Sequence, residues 1–217
     1  MQLAARSTPL DSIAVAASTA VLPNLHLELA HHACVRAESG TFALPPRDAA
    51  LLTWLALEGP TPRARLATLL WPASDATAAR NTLRQRLFQL RKLVGADIVA
   101  GTGTLALAAG VEHDLDDSDT VLGGMADEIG GEYAAWLSQQ RARRAGRLRA
   151  ALVELSEMAE RSREYGDALS HAEELLALEP LSEDAHRRVI RLHYLRGDRP
   201  AGPRRRRGRT TGCRCRR

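Results

Sequence analysis

The stretch Trp71–Gly95, WPASDATAARNTLRQRLFQLRKLVG, decides the fold of the first half of the chain. Asp75 belongs to the residue types that cap helix N-termini, and Gly95 can adopt the left-handed conformation that commonly ends a helix. Between these two residues, aliphatic side chains recur at spacings of four, three and four positions, which places them on one side of a helix. They are Leu83, Leu87, Leu90 and Val94. The pattern predicts an amphipathic helix over residues 76–94.

The opposite face of this predicted helix is polar and carries no acidic residue. It comprises Asn81, Arg84, Gln85, Phe88, Gln89 and Lys92, with Arg91 at one margin and Arg86 at the other. Arginine and lysine can pair with guanine, asparagine and glutamine can pair with adenine, and basic margins can hold phosphates. The face therefore suits the major groove of DNA, although an ordinary solvated amphipathic helix would have the same polarity.

The basic residues are concentrated at the end of the chain. The 217 residues carry a formal net charge of +4, but residues 200–217 hold eight arginines and no acid, which leaves −4 for residues 1–199. DNA binding would therefore depend on a local basic surface and not on the overall charge. The three cysteines form no disulfide framework, and residues 12–22 are too short an apolar run to span a bilayer. The sequence predicts a cytoplasmic protein with no membrane partner.

Turn and capping signals divide residues 25–110 into short strands, three helices and a hairpin. The predicted elements are an extended segment over 25–38, a return strand over 41–44, helices over 47–58, 63–70 and 76–94, and a hairpin formed by 97–99 and 104–107. Thr61 is predicted to cap the second helix, with Pro62 at its first position. This order is typical of a winged helix-turn-helix domain, whose third helix enters the major groove. Its predicted core comprises Trp54, Leu66, Leu69, Leu70, Leu83 and Leu87.

Residues 132–199 are predicted to be helical and to follow a linker over 111–131 that is rich in glycine and aspartate. The expected helices are 133–162, a second one ending at 179, and 183–195. The breaks at Gly166 and Gly197 repeat at an offset of 31 residues, which is typical of a tetratricopeptide-like repeat. A partner helix should follow the second break, but an Arg-rich segment stands there and indicates an incomplete domain. An apolar face of the last helix is therefore expected to be exposed, with Val189, Leu192 and Leu195 among its members.

Both ends of the chain are predicted to be disordered. Residues 1–24 form an Ala-rich N-terminal extension, for which a weak signal peptide is the alternative interpretation. Residues 200–217 have no aliphatic side chain larger than alanine, and their charge opposes compaction. Their composition is typical of GC-rich DNA translated out of frame, which is the interpretation we favour. A basic nucleic-acid arm and a metal-binding Cys-x-Cys pair are the alternatives.

In combination, four phrases of the sequence resemble those of the SARP-type transcriptional regulators of bacteria. These regulators join an OmpR-like winged-helix DNA-binding domain to a bacterial transcriptional activator domain built of tetratricopeptide-like helices. The phrases are LPPRDAALLTWLALEG (44–59), RARLATLLWP (63–72), AARNTLRQRLFQLRKLVG (78–95) and GDALSHAEELLALEPLSEDAHRRVIRLHYLRGD (166–198). They follow the order of the family within residues 25–199. The hairpin segment GTGTLALAAG (101–110) departs from it, because it lacks the aromatic Gly-Tyr phrase expected in the wing.

The fold expected from these patterns and from the resemblance is mainly α with small β elements. It consists of a winged helix-turn-helix domain over 25–110 and a tetratricopeptide-like domain over 132–199. The resemblance implies a transcriptional activator that binds repeated promoter DNA as a homo-oligomer and recruits RNA polymerase. The DNA-binding residues that it implies are Arg80, Asn81, Arg84, Gln85, Gln89 and Lys92, with Arg91 as a phosphate contact.

Two other classes of function compete with DNA binding. An enzyme is not expected, because the chain lacks a Gly-rich phosphate loop with Lys and Ser or Thr, a Gly-x-Ser-x-Gly turn and a pair of histidines at zinc spacing. His26, His31, His32 and Cys34 cluster in sequence, but strand alternation places His31 and His32 on opposite faces, so neither a shared metal nor another cofactor is expected. The remaining alternative is a helical-repeat interaction scaffold without specific DNA binding.

Overall fold

The computed structural model describes residues 25–123 and 129–197, which separate into two compact units with a boundary between Asp116 and Asp117. About 59% of the described residues are helical. The other regular elements are short strands, so the prediction of a mainly α protein with small β elements is confirmed. The predicted extension over 1–24 lies outside the described residues, and so does the predicted tail over 200–217. Within the described part, no helix is both long and apolar enough to cross a membrane.

The first unit contains seven strands and three helices in its described part. In chain order they are β1 (Leu25–Glu28), β2 (Cys34–Ala37), β3 (Gly40–Ala43), α1 (Pro46–Glu58), β4 (Thr61–Pro62), α2 (Arg63–Leu70), α3 (Ala76–Val94), β5 (Val99–Ala100), β6 (Thr104–Leu107) and β7 (Val111–His113). The second unit contains α4 (Gly131–Arg161), α5 (Tyr165–Leu178) and α6 (Glu183–Arg196). The three helices of the first unit and the hairpin that follows them form in the predicted order.

A four-stranded sheet has the order β3-β2-β1-β7, and it corrects the prediction of one extended segment over residues 25–38. That segment forms two antiparallel strands, β1 and β2, with a turn between them. The carboxylate of Asp114 accepts hydrogen bonds from the backbone N–H of Leu29 at 2.7 Å and of Ala30 at 3.1 Å. The turn is therefore held by a residue far away in sequence, which strand alternation cannot reveal.

The strand β7 lies inside the predicted linker over 111–131. It pairs in parallel with β1, with Val111 opposite Leu25 and His113 opposite Leu27. The first unit consequently extends to Asp116 and does not end at residue 110. A three-residue strand gives a weak signal in the sequence, because its pairing with the first strand is entirely non-local.

The later part of the predicted linker belongs to the second unit. The Arg141 guanidinium donates to the carbonyl oxygens of Val121, at 3.0 Å, and Leu122, at 2.6 Å. The Arg144 guanidinium donates to the carbonyl of Ser118. Arg144 is buried, so the arginines of α4 do not all lie on its exposed side. Two of them attach the backbone of residues 118–122 to the helix.

The ends of α3 follow the capping signals in the sequence. The Asp75 carboxylate accepts from the backbone N–H of Thr77 at 2.8 Å and of Ala78 at 2.9 Å, which satisfies donors that the first turn leaves open. These bonds hold the pKa of Asp75 below its ordinary value. Gly95 ends the helix with φ = 77°, in the left-handed region. The predicted bounds, 76–94, are therefore confirmed.

The start of α2 differs from the prediction, because Thr61 does not cap it. Pro62 occupies the N-cap position, and Thr61 and Pro62 pair with Leu105 and Thr104 in a short strand ladder. The Thr61 hydroxyl accepts from the indole Nε1 of Trp54 at 3.1 Å and donates to the carbonyl of Gly59. Its side chain thus connects α1 to the turn after it.

The apolar side of α3 packs into the core of the first unit. Of the predicted core residues, Trp54, Leu66, Leu69, Leu70 and Leu83 are buried. Leu87 is only partly buried, which contradicts its assignment to the core. It lines a cleft between α3 and the strand β5, where the side chain keeps contact with solvent. The buried side of α3 consists of Ala79, Leu83, Leu90 and Val94.

In the second unit, α5 packs against both α4 and α6. One cluster of buried residues comprises Ala159, Ala168, Leu169, Ala172 and Leu192, and another comprises Leu152, Leu175 and Ala185. Leu192 is fully buried, so its predicted exposure is wrong. Its side chain packs against small alanine side chains of α4 and α5, and Val189 is partly buried against the same cluster. The exposed apolar residues of α6 are Ile190, Tyr194 and, at 37% exposure, the predicted Leu195.

We expect Leu83→Ala to lower the free energy of unfolding of the first unit by about 2–5 kcal/mol, because it opens a cavity at a fully buried position. Leu87→Ala should cost clearly less, because part of that side chain is already exposed. Urea unfolding of the full chain with Trp136→Phe would measure both, since the fluorescence of Trp54 and Trp71 then reports on the first unit. Equal losses for the two variants would contradict the placement of Leu87.

Candidate nucleic-acid interface

All of the predicted DNA-binding side chains lie on the exposed part of α3. Each of Arg80, Asn81, Arg84, Gln85, Gln89, Arg91 and Lys92 is exposed. The buried residues Ala79, Leu83, Leu90 and Val94 hold the other side of the helix against the unit. α3 itself contains no acidic residue. We call the exposed side of α3, defined by the seven polar residues above together with Phe88, the α3 outer face.

Four side chains of the α3 outer face are available for a ligand. Asn81, Arg84, Gln85 and Lys92 make no hydrogen bond or ion pair with any other described residue. Two of the four are cationic, and two carry amides that can both donate and accept hydrogen bonds. An arginine beside a glutamine offers donors for a guanine edge and a donor–acceptor pair for an adenine edge.

Arg80 is partly engaged within the helix. Its Nε donates to the backbone carbonyl oxygen of Ala76 at 2.8 Å, which bends the side chain back toward the first turn of α3. The terminal amino groups of the guanidinium make no other hydrogen bond among the described residues. In this position Arg80 can hold a phosphate near the start of the helix, but it is less suited than Arg84 to reaching a base.

Arg91 is paired with an acid that lies outside α3. Its Nε lies 3.2 Å from Oδ1 of Asp97, and both side chains are more than half exposed. An exposed pair of this kind is worth about 0–1 kcal/mol and can open when a phosphate competes for the arginine. No acidic residue occurs over residues 76–96, and Asp97 is the next residue. Its position only six residues after Arg91 was the signal in the sequence for this pair.

Arg86, at the margin of the α3 outer face, is held by a buried carboxylate of α1. Its Nε donates to Oδ1 of Asp48 at 2.8 Å, and one of its terminal amino groups contacts Oδ2. Asp48 is only 3% exposed. Because the carboxylate favours the charged guanidinium, the pKa of Arg86 is raised above its ordinary value. Such a bidentate arrangement fixes geometry as well as charge.

The same arginine orients a predicted base-contacting residue. The other terminal amino group of Arg86 donates to the amide oxygen of Gln89 at 3.1 Å. With its oxygen directed to Arg86, the Gln89 amide is left to present its NH2 group outward. Gln89 is therefore a hydrogen-bond donor toward a ligand, suited to base acceptors such as guanine O6 and N7 or thymine O4. Sequence spacing gave no sign that Asp48 anchors Arg86 for this contact, because the two residues are 38 positions apart.

The hairpin that follows α3 has a tight tip without charged side chains. Gly101 has φ = 101°, and a Cβ on it would lie 2.0 Å from the carbonyl oxygen of Thr104, so only glycine fits there. The carbonyl of Gly103 accepts from the backbone N–H of Arg63 at 2.8 Å, which ties the tip to the start of α2. The tip can thus offer backbone and threonine hydroxyl groups to a neighbouring strand of DNA, but no cation.

His26 and Cys34 lie on strands of the four-stranded sheet, whereas His31 and His32 lie in the turn between β1 and β2 and not on a strand as predicted. The Cys34 thiol donates to the Glu28 carboxylate at 3.1 Å, and burial raises its pKa to about 11. His26 faces Glu112 at 3.9 Å. Among the residues that the structure describes, no group of three or more histidine, cysteine, aspartate or glutamate side chains is arranged to hold a metal ion.

No protein-family model matches the chain, and a search of curated proteins finds none with significant sequence similarity.

We expect Arg86→Met to lower the free energy of unfolding by about 3–5 kcal/mol, because it leaves the Asp48 carboxylate buried without its partner. The double variant Asp48→Leu with Arg86→Met should recover most of this loss, since it removes both charges together. Arg84→Met is the matched control, because it changes an exposed arginine of the same helix and should alter stability by less than about 0.5 kcal/mol.

Urea unfolding of the full chain would measure all three variants. If Arg86→Met were no more destabilising than Arg84→Met, the ion pair with Asp48 would not form in solution.

Proposed function

We propose that this chain is a sequence-specific DNA-binding transcriptional regulator that inserts α3 into the major groove of promoter DNA. The observation that carries the proposal is the α3 outer face, where Arg84, Gln85 and Lys92 are exposed and unpaired among the described residues. The same helix has no acidic residue. Arg91 and Lys92 in the last turn also suit the helix dipole, but Arg84 in the middle of the helix gains nothing from it.

The dimensions of the α3 outer face fit a short DNA site. From Arg80 to Lys92 the helix rises about 18 Å at 1.5 Å per residue, which corresponds to about five base-pair steps of 3.4 Å. The major groove is about 12 Å wide and admits a helix with its side chains. One copy of α3 therefore suits contact with roughly one half-site.

The seven polar residues of the α3 outer face are proposed to divide between base reading and phosphate contact. Arg84 and Gln85 read base edges, with Asn81 and Gln89 beside them. Arg80, Arg91 and Lys92 contact phosphates. The roles of Arg80 and Arg91 follow from their engagement with Ala76 and Asp97, which keeps their guanidinium groups toward the ends of the face.

The first unit is proposed to be a winged helix-turn-helix domain. In support, α2 and α3 are joined by the short turn at residues 71–75 and are followed by the β5–β6 hairpin. The Arg47 guanidinium donates to the carbonyl of Leu70 and lies 5.7 Å from the ring centre of Trp71, which fixes that turn to α1. The phrases that resemble the SARP-type regulators lie in these same elements and support the same assignment.

The second unit is proposed to be a tetratricopeptide-like activator domain that recruits RNA polymerase, in a cytoplasmic, non-enzymatic homo-oligomer on repeated sites. A cleft of about 560 Å³ in this unit supports a role in protein contacts. It is lined by Arg149, Arg187, Arg188 and Arg191, together with Glu179 and Asp184 among others. This cleft also favours the second candidate function, a helical-repeat scaffold without specific DNA binding.

Selection from a random duplex library with the full chain would separate the two candidate functions. A regulator should enrich one defined sequence, and a scaffold should enrich none. Uniform binding of all duplexes that disappears at moderate salt would overturn the proposal, because it would show phosphate attraction without base reading.

We expect Arg84→Ala or Gln85→Ala to weaken binding to the selected duplex by about 1–3 kcal/mol and to relax base preference at particular positions. Lys92→Ala should weaken binding to all duplexes alike and reduce the salt dependence by about one unit. Fluorescence anisotropy on the selected site and on single-base variants, each at several salt concentrations, would measure both effects. Unchanged base preference in Arg84→Ala and Gln85→Ala would mean that α3 is oriented differently on DNA.

We expect Asp97→Asn to tighten DNA binding by up to about fivefold, because it releases Arg91 from a pair worth about 0–1 kcal/mol and removes a repelling charge. Base preference should not change, since Arg91 is proposed to contact phosphate. Glu112→Gln is the matched control, because it removes an exposed acid from the four-stranded sheet. Equal tightening by both variants would show a general charge effect and not release of Arg91.

A further inference from the structure

Phe88 is an exposed aromatic residue in the middle of the α3 outer face. Its side chain is 68% exposed. Arg84 precedes it by four residues and Lys92 follows it by four, so the ring lies between two cations along the same line of the helix. The chain has only two phenylalanines, and aromatic residues make up 4% of it. The two cations suit a polyanionic ligand, and the exposed ring between them suits an apolar group on that same ligand.

The surroundings of Phe88 define what this partner can be. Phe88 lines a cleft of about 240 Å³ between α3 and β5, whose wall also includes Leu87 and Val99 on its apolar side. Arg63, Arg84 and Arg91 line the same cleft. Asp97, which lines the same cleft, pairs with Arg91, but a wholly apolar partner would leave Arg63 and Arg84 without anions. A bare phosphate would leave the ring in water. The fitting ligand combines a small apolar group with neighbouring phosphates.

DNA in the major groove offers such a combination at thymine. Its C5-methyl group is the apolar feature that the base pairs present there, and phenylalanine is among the side chains that contact it. We infer that Phe88 packs against the C5-methyl group of a thymine and so adds an A·T requirement to the site. This inference rests on the proposed insertion of α3 into the major groove.

The helix geometry places this thymine relative to the base that Arg84 reads. One helical turn separates Arg84 from Phe88, with a rise of about 5–6 Å, which equals between one and two base-pair steps. Arg84 has the donor geometry for guanine. The selected site should therefore contain a guanine and a thymine one or two base pairs apart, on either strand.

Replacing thymine with deoxyuridine tests the inference, because it removes the methyl group and leaves every hydrogen-bonding atom in place. Each thymine of the site selected by the full chain is replaced in turn, and dissociation constants are measured by anisotropy. At one thymine in each half-site, the replacement should weaken binding of the unchanged protein about fourfold, as expected for loss of one buried methyl group. Phe88→Ala should bind the thymine and deoxyuridine duplexes equally, and should bind both less tightly than the unchanged protein binds the thymine duplex.

Leu93→Ala is the matched control. Leu93 is also exposed on α3, at 44%, but it lies about 140° around the helix from Phe88. This variant should keep the preference for thymine over deoxyuridine. Thermal melting of each variant checks the fold, and the exposure of both side chains predicts little change.

The outcomes separate this inference from the proposed function. A defined site whose affinity is the same with thymine or deoxyuridine at every position would overturn the role of Phe88 and leave DNA reading by α3 intact. Discrimination that survives in Phe88→Ala would have the same consequence. A library selection that enriches no site would overturn the inference together with the proposed function.

Discussion

The ion pair between Asp48 of α1 and Arg86 of α3 fixes which side of α3 faces outward. Hydrophobic burial alone does not decide this rotation, because α3 carries apolar side chains on more than one side. Leu83, Leu90 and Val94 are buried, while Phe88 and Leu93 are exposed. Turning the helix to bury Phe88 would move Arg86 away from a carboxylate that is almost inaccessible to water. A buried, unpaired carboxylate is so costly that this alternative is excluded, even where the pair adds little net stability.

This constraint connects the interior of the first unit to its candidate interface. Asp48 holds the guanidinium of Arg86 in place. Arg86 in turn donates to the amide oxygen of Gln89 and so orients that side chain. A buried residue of α1 thereby determines which hydrogen-bonding group of α3 is presented to a ligand. Base-contacting groups discriminate best when such supporting bonds fix their orientation in advance. We therefore regard Asp48 as a positioning residue for the proposed base readout.

The features that the sequence could predict depend on interactions between neighbouring residues. The features that it could not predict depend on contacts between residues far apart in the chain. The bounds of α3 follow from Asp75 and Gly95, whose effects act within one helical turn. The strand β7 depends on a parallel partner at the other end of the unit, and the turn after β1 depends on Asp114. Neither arrangement leaves a pattern in neighbouring residues.

The same distinction holds for the candidate interface and for the second unit. Helical spacing was enough to place all seven predicted side chains on the surface. Asp97, the partner of Arg91, and Asp48, which holds Arg86 beside Gln89, come from other segments. Leu192 was predicted to be exposed because its periodicity matches Leu195, yet small alanines on α4 and α5 leave room for it in the core. Periodicity identifies an apolar face, and the neighbouring helices decide which members of it are covered.

The ion pairs also limit how strongly one copy of α3 could hold DNA. Five basic residues lie on the helix, but Arg86 is neutralised by Asp48 and Arg91 is partly neutralised by Asp97. Arg80, Lys92 and, once its pair with Asp97 opens, Arg91 are the proposed phosphate contacts, and three such contacts correspond to the release of about three counterions. Each phosphate that is neutralised adds to the affinity through counterion release, so three contacts contribute far less than the roughly 6–10 that strongly salt-dependent DNA-binding proteins make. A single copy would therefore bind weakly, and two copies on adjacent half-sites would double the number of phosphate contacts. The scarcity of unpaired cations on α3 is thus a physical reason for repeated sites in the proposed mode of binding, independent of any resemblance to other regulators.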